Sequence, residues 1–334
     1  MPKNYKKIIL LFLVALVLVF LGVFLLRKTI FSSLSNKKIN PVVYNQLNDK
    51  KIGSETFSFA VIGDTKSFDN DPQNGLKQAV SLINGKNPDL TFVVGDLIQK
   101  CSDLNQCENL YNQWKQVMEP ILPKTYEIVG NHDRTGGKVA DQAWQAIFDL
   151  PTNGPAGFSK MVYSFDHANA HFVVLDTEKP REHDISSDQL DWLKKDLDQN
   201  KQSLTFVFFH EPAFPVGSKI GSSIDVHSAN RDALWSILDS HNVTAVFAGH
   251  EHLFSRRLID NSVFPGAKNK IYQFIVGNTD APIDTPPQKG LAEYFNMDHT
   301  FALIKIDKNK ITMELYDLKG NLVNSFDFNA TNTQ

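Results

Sequence analysis

The stretch TYEIVGNHD, residues Thr125 to Asp133, carries the reading of this chain. Its first half is a short β-prone run; a glycine then lets the backbone turn, and three side chains able to bind a metal or a proton follow. Four other apolar runs also close on such a residue: FSFAVIGD (57–64), LTFVVGD (90–96), SLTFVFFH (203–210) and VTAVFAGH (243–250). Between the runs, helical periodicity predicts helices over 73–85, 109–119, 140–149, 187–199 and 230–241, the fourth opened by a capping box of Ser186 and Gln189. YSFDHANAHFVVLDT (163–177) reads as a hairpin. The tail segments IYQFIVGN, TFALIKID, ITMELYD and LVNSFDF read as strands forming the edge of a second sheet. This alternation predicts the α/β class, as a four-layer αββα sandwich of two mixed β-sheets over residues 56–328.

Asp64, Asp96, Asn131, His210 and His250 thus end five strands, and His252 lies two positions beyond the last. In open α/β sheets the ligand crevice lies outside the carboxyl ends of the strands, so five such endings point to one site. Carboxylates, an amide oxygen and imidazoles make a mixed nitrogen and oxygen set suited to Zn, Mn or Fe. Two cysteines exclude a four-cysteine zinc site and a disulfide scaffold, and leave open a local Cys101–Cys107 disulfide or two thiols.

The motifs GDTK at Asp64, GDL at Asp96, GNHD at Asn131 to Asp133, FFHEP at His210 and GHEH at His250 to His252 resemble those of the calcineurin-like metallophosphoesterases, in the usual order. The resemblance implies two divalent metal ions. Asp96 would bridge them, Asp64 and His252 would bind the first, and Asn131, His210 and His250 the second. Two ions about 3.5–4 Å apart clamp a phosphoryl group and turn a bridging water into hydroxide. His132 would donate to the developing charge and to the leaving oxygen, and Asp133 would orient either the local turn or the imidazole.

One position departs from the family pattern. The first motif is usually D-x-H, and here the place of the histidine holds Lys66. A protonated ammonium has no lone pair for a metal. Three readings stay open: a weakened first site with activity kept, one working metal with Lys66 contacting a substrate phosphate as a point charge, and a catalytically inactive metal-binding module.

The N-terminus bears on compartment. Residues 8–26 carry no charged side chain, and as a helix they would extend about 28 Å, enough for a hydrocarbon core of roughly 30 Å. They read as a signal anchor after a short basic segment (1–7), followed by a polar tether (27–55), with the domain outside the cytoplasm. A cleaved signal is the competing reading. With 34 basic against 37 acidic residues, a net charge of −3 argues against general nucleic-acid binding. The expected substrate is a phosphorylated small molecule, a nucleotide or a lipid head group, and no obligate protein partner is evident. The continuation GDLIQK lacks the V-D-R-G of the eukaryotic Ser/Thr phosphatases. The remaining histidines, His167, His171, His183, His227, His241 and His299, read as structural.

Overall fold

The computed structural model describes residues 55–66 and 74–330. The predicted span 8–26, the short segment before it and nearly all of the tether lie outside these. Among the described residues no helix is long and apolar enough to cross a membrane.

Two mixed sheets face each other. In the first, β1 (Thr56–Ile62), β2 (Leu90–Val93) and β3 (Thr125–Glu127) run parallel, and β11 (Thr300–Asp307), β12 (Lys310–Asp317) and β13 (Leu322–Asn329) continue antiparallel from β1. In the second, β5 (Ala170–Val174), β6 (Leu204–Phe208), β7 (Ala245–Ala248) and β9 (Ile271–Val276) are parallel neighbours. There β4 (Tyr163–His167) pairs antiparallel with β5, as the predicted hairpin requires, and β8 (Phe254–Ile259) and β10 (Tyr294–Asn296) close the other end.

The tail is where prediction and structure part. Only β9 of the four tail segments enters the second sheet, and it sits inside it, between β8 and β7. The others extend the first sheet, Ala60 pairing with Leu303 across the two ends of the domain. Strand character is a local property, whereas the choice of partner depends on which apolar face the folded sheet still exposes. The short strands β8 and β10 carry no strong alternation and were not predicted.

Helices α1 (Asn74–Lys86), α2 (Leu104–Met118) and α3 (Lys138–Ile147) share a core with the first sheet, and α4 (Ser187–Gln199) and α5 (Ser228–Ser240) share one with the second. Helix α2 starts five residues before its predicted first residue because Asp103 caps it, its side chain accepting from the Gln106 amide. At α4 only half of the expected capping box forms. Ser186 accepts from the Gln189 amide, but the Gln189 carboxamide turns to the backbone of Asp176. Between the sheets phenylalanines interlock: Phe92 stacks on Phe208 with ring centroids 4.0 Å apart, and Phe59 meets Phe206 edge-on at 5.1 Å.

Glu127, the last residue of β3, is buried, and neither carboxylate oxygen has a hydrogen-bond partner. Burial raises its pKa from 4.5 to about 8. The folded state therefore holds this proton more tightly than the unfolded chain. Its contribution to stability is fully present below pH 4.5 and is lost as pH rises to about 8. Glu127→Gln should flatten that decline and stabilise the protein at pH 8 by on the order of 1–3 kcal/mol. Urea midpoints of both proteins at pH 5 and pH 8 test this, and an equal shift at the two pH values would refute it.

Candidate metal centre

The parallel strands of both sheets deliver their carboxyl ends to one place. The backbone continues to interlock there: Asp64 N–H donates to Gly95 O at 3.0 Å, and Gly249 N–H to His210 O at 2.8 Å. Asp64, Asp96 and His250 are non-glycine residues at positive φ (50°, 57° and 70°), a strained conformation held by this surrounding pairing. The adjacent glycines make room. A Cβ on Gly249 would stand 2.6 Å from Asp64 Oδ2, so a side chain there would collide with a site carboxylate.

Asn131, His210 and His250 converge as the motif order implies. Asn131 Oδ1 lies 3.0 Å from His210 Nε2 and 3.2 Å from His250 Nδ1, and His210 Nε2 is 3.4 Å from Asp96 Oδ1. The far nitrogen of each ring donates to a carbonyl: His210 Nδ1 to Val94 at 2.8 Å, and His250 Nε2 to Ser222 at 2.8 Å. This leaves His210 Nε2 and His250 Nδ1 facing an amide oxygen and a carboxylate. Burial also drives the His250 pKa well below its usual value, which keeps that ring neutral. An amide oxygen, a carboxylate and two imidazole nitrogens gathered this closely form a donor set that a cation would hold together. Bonds of roughly 2.0–2.2 Å to one ion would set adjacent ligand atoms about 3.0–3.5 Å apart, matching the observed spacings. The donor set fits a divalent ion such as Zn, Mn or Fe.

Asp64, Asp96 and His252 also come together, their ligand atoms lying within 4.8 Å of one another. Here a cation is already supplied by the chain. The Lys66 ammonium meets Asp96 Oδ2 in a short ion pair, Asp64 Oδ1 at 3.2 Å and His252 Nε2 at 3.3 Å. The Lys66 side chain is 1% exposed. Burial alone would lower its pKa, but Asp64 and Asp96 outweigh that and raise it. The same ammonium, with His252 and His210, holds Asp64 well below the usual carboxylate range against burial. With Lys66 in place, this first set does not fit a second divalent ion.

His132 flanks both sets. Its backbone N–H donates to Asp96 Oδ1 at 2.9 Å and its Nδ1 to Gln99 O at 2.6 Å. Burial lowers its pKa despite the nearby Asp96. Of the two placements open to Asp133, the structure shows the turn. Its carboxylate accepts from the amides of Leu97, Ile98 and Gly130.

Several contributors were not legible beforehand. His183, read as structural, has Nδ1 2.6 Å from Glu211 Oε1, which is in turn 3.9 Å from His250 Nε2. Burial raises the Glu211 carboxyl to about 9. Asp284 accepts from the His252 amide at 2.9 Å, and Pro282 O receives His252 Nδ1 at 2.8 Å. The FFHEP and GHEH motifs offered a signal for Glu211 only as a neighbour of a ligand; the carbonyls carry no side-chain signal at all.

Cys101 and Cys107 are joined as a disulfide, so the thiol alternative is set aside. The bond ties the loop presenting Gln99 O to the first turns of α2, and Cys101 N–H also donates to Thr135 Oγ1 at 3.1 Å. Removing it with paired Cys→Ser changes should cost about 2 kcal/mol, the loop-entropy value for so short a closure. Because the loop orients His132, kcat should fall while metal content holds. Melting temperature, kcat and metal content of the paired variant check this, and unchanged kcat would dissociate the loop from the histidine.

A two-sheet sandwich with a metal centre at the joined strand ends defines the class. The calcineurin-like phosphoesterase family model matches residues 57–254, more than half of the chain, and the chain belongs to that family. It is 27% identical over 222 residues to purple acid phosphatase 22 of Arabidopsis thaliana, covering 62% of this chain and 47% of the relative. It is 24% identical over 241 residues to a Rhodococcus erythropolis protein named "Probable cyclic nucleotide phosphodiesterase", covering 69% of this chain and 73% of that one. The purple acid phosphatase of yellow lupin (Lupinus luteus) seeds shares the fold, with a TM-score of 0.68 at 18% identity, over 83% of this chain and 55% of that one. The chain thus spans about half or less of the length of the purple acid phosphatases it matches.

Proposed function

We propose that this chain is a metal-dependent hydrolase of phosphate esters, held at a membrane by residues 8–26 with its domain facing outside the cytoplasm. The observation that carries the reading is the convergence of Asn131, His210, His250 and Asp96 at one place, with His132 beside them. A divalent ion held by these four would polarise a phosphoryl oxygen and lower the pKa of water.

The chain's own residues account for the remainder. Asp96 orients His132 through its backbone amide, and Gln99 O fixes the ring so that Nε2 meets the substrate. A bound phosphoryl group favours the imidazolium by its charge, reversing the effect of burial. His132 then donates to the developing charge and to the leaving oxygen. Val94 and Ser222 keep the two ligand imidazoles in the metal-binding tautomer, a role typical of outer-shell carbonyls. The names of the relatives span phosphatases and phosphodiesterases, so both monoesters and diesters are candidate substrates.

The test is hydrolysis of an aryl phosphodiester and an aryl phosphomonoester by the full-length chain, first stripped of metal and then titrated with Mn or Zn. Metal-restored turnover is expected, and the ratio of the two rates narrows the substrate class. Absence of turnover with every metal, in a chain that still binds an ion, would favour the inactive metal-binding module instead. Anchoring predicts that the chain remains with membranes after alkaline carbonate washing, and its release would count against residues 8–26 as a span.

A further inference from the structure

We infer that Lys66 is a built-in cation that takes the place of the first metal ion, so that the chain holds a single divalent ion, on Asn131, His210, His250 and Asp96. This rests on the metal-ligand reading above and deepens it by fixing the number of ions.

An ammonium offers three donors and no acceptor. Around Lys66 Nζ stand two carboxylates and an imidazole: Asp96 Oδ2 in a short ion pair, Asp64 Oδ1 at 3.2 Å and His252 Nε2 at 3.3 Å. His252 Nδ1 faces the Pro282 carbonyl at 2.8 Å, and its Nε2 also lies 3.3 Å from Asp64 Oδ1, so ammonium, imidazole and carboxylate close one cluster. Asp64, Asp96 and His252 form a group of side chains spaced to hold an ion. Lys66 therefore occupies the place a metal would take and uses the same ligand residues.

The position is fixed from the backbone outward. Lys66 N–H donates to Asp96 O at 3.0 Å, and the preceding Thr65 is pinned by Trp114 Nε1 at 2.9 Å to its hydroxyl. Thr65 is fully buried and Lys66 nearly so. An entering divalent ion would have to displace the ammonium from two carboxylates and leave it inside the protein beside a second positive charge. Breaking a buried pair in this way leaves an uncompensated charge and is strongly unfavourable. The first position carries one positive charge here instead of two. In a phosphoesterase it is filled without any metal from solution.

Metal stoichiometry tests this without reference to activity. The full-length chain and the variants Lys66→His and Lys66→Ala are stripped, equilibrated with Mn(II), washed and measured by elemental analysis, with electron paramagnetic resonance to separate lone from exchange-coupled ions. One ion per chain in the wild type, with an uncoupled Mn spectrum, and two coupled ions in at least one variant are expected. Two ions in the wild type would overturn the inference and leave the hydrolase reading intact. One ion in the wild type and still one in both folded variants would also overturn it, since Lys66 would then not be what excludes the second. No ion in the wild type would overturn both the inference and the metal-dependent function. The wild-type count needs no substitution, so the inference is exposed even if neither variant folds.

Discussion

Asn131→Ala empties the metal centre and lowers phosphoester hydrolysis by about 10³- to 10⁴-fold. Asn131 Oδ1 is the atom on which His210 Nε2 and His250 Nδ1 converge, at 3.0 and 3.2 Å. Deleting it removes one ligand and lets the two imidazoles separate. An ion acting as a Lewis acid supplies several kcal/mol of transition-state charge stabilisation, and each 1.36 kcal/mol is a factor of ten in rate. The fold should survive, because Asn131 sits in a turn outside the sheet and is only half-buried. Asn131→Asp, which keeps a ligand oxygen, should retain the ion. Elemental analysis and aryl phosphodiester turnover of both variants decide the matter. A stoichiometric ion in the alanine variant at unchanged rate would show that Asn131 is not a ligand.

The second large effect separates proton transfer from metal binding. His132→Ala should lower kcat by about 10²- to 10⁴-fold, the usual range for a positioned general acid or base. Metal content should hold, because Nδ1 of the ring bonds to Gln99 O and His132 belongs to neither proposed ligand set. The loss should be largest for an ester with a poor leaving group, which needs the proton most, and smaller for a nitrophenyl ester. Equal losses on the two esters would assign His132 to binding the phosphoryl oxygens alone. Loss of the ion would make it structural.

Both predictions concern residues that can be located in the chain without a structure, and that is instructive about which features are local. An apolar run that stops at Gly-Asp, Gly-Asn or Gly-His announces a strand end with a ligand on it, because glycine permits the sharp exit and the close approach of backbone to site. All six candidate ligand positions come out at one end of the two sheets. Helix α4 was placed at its observed boundaries for a similar reason, since the Ser186 cap lies beside the residues it serves. The cap of α2 was legible in the same way at Asp103 but was passed over, as the apolar periodicity begins later in the helix.

What lies between distant segments was not legible. No periodicity states that β11 pairs with β1, nor that Gln99 and Ser222 turn their carbonyls to His132 and His250. The role of Glu127 is likewise invisible, because its raised pKa comes from what the finished core denies it rather than from its neighbours in the chain.

Lys66 marks the boundary most sharply. The sequence by itself determined the strand-and-helix alternation, the order of the motifs, six candidate ligand positions and a lysine where a histidine is usual. It could say that this lysine does not coordinate while protonated, since that follows from the chemistry of one side chain. Only the tertiary structure decided that its ammonium lies among Asp64, Asp96 and His252, that Cys101 and Cys107 are joined, and that the last three strands complete the first sheet. Coordination preference and turn propensity belong to residues and short segments. The position of one charge against three side chains drawn from three separate loops exists only after two sheets have packed and brought those loops together.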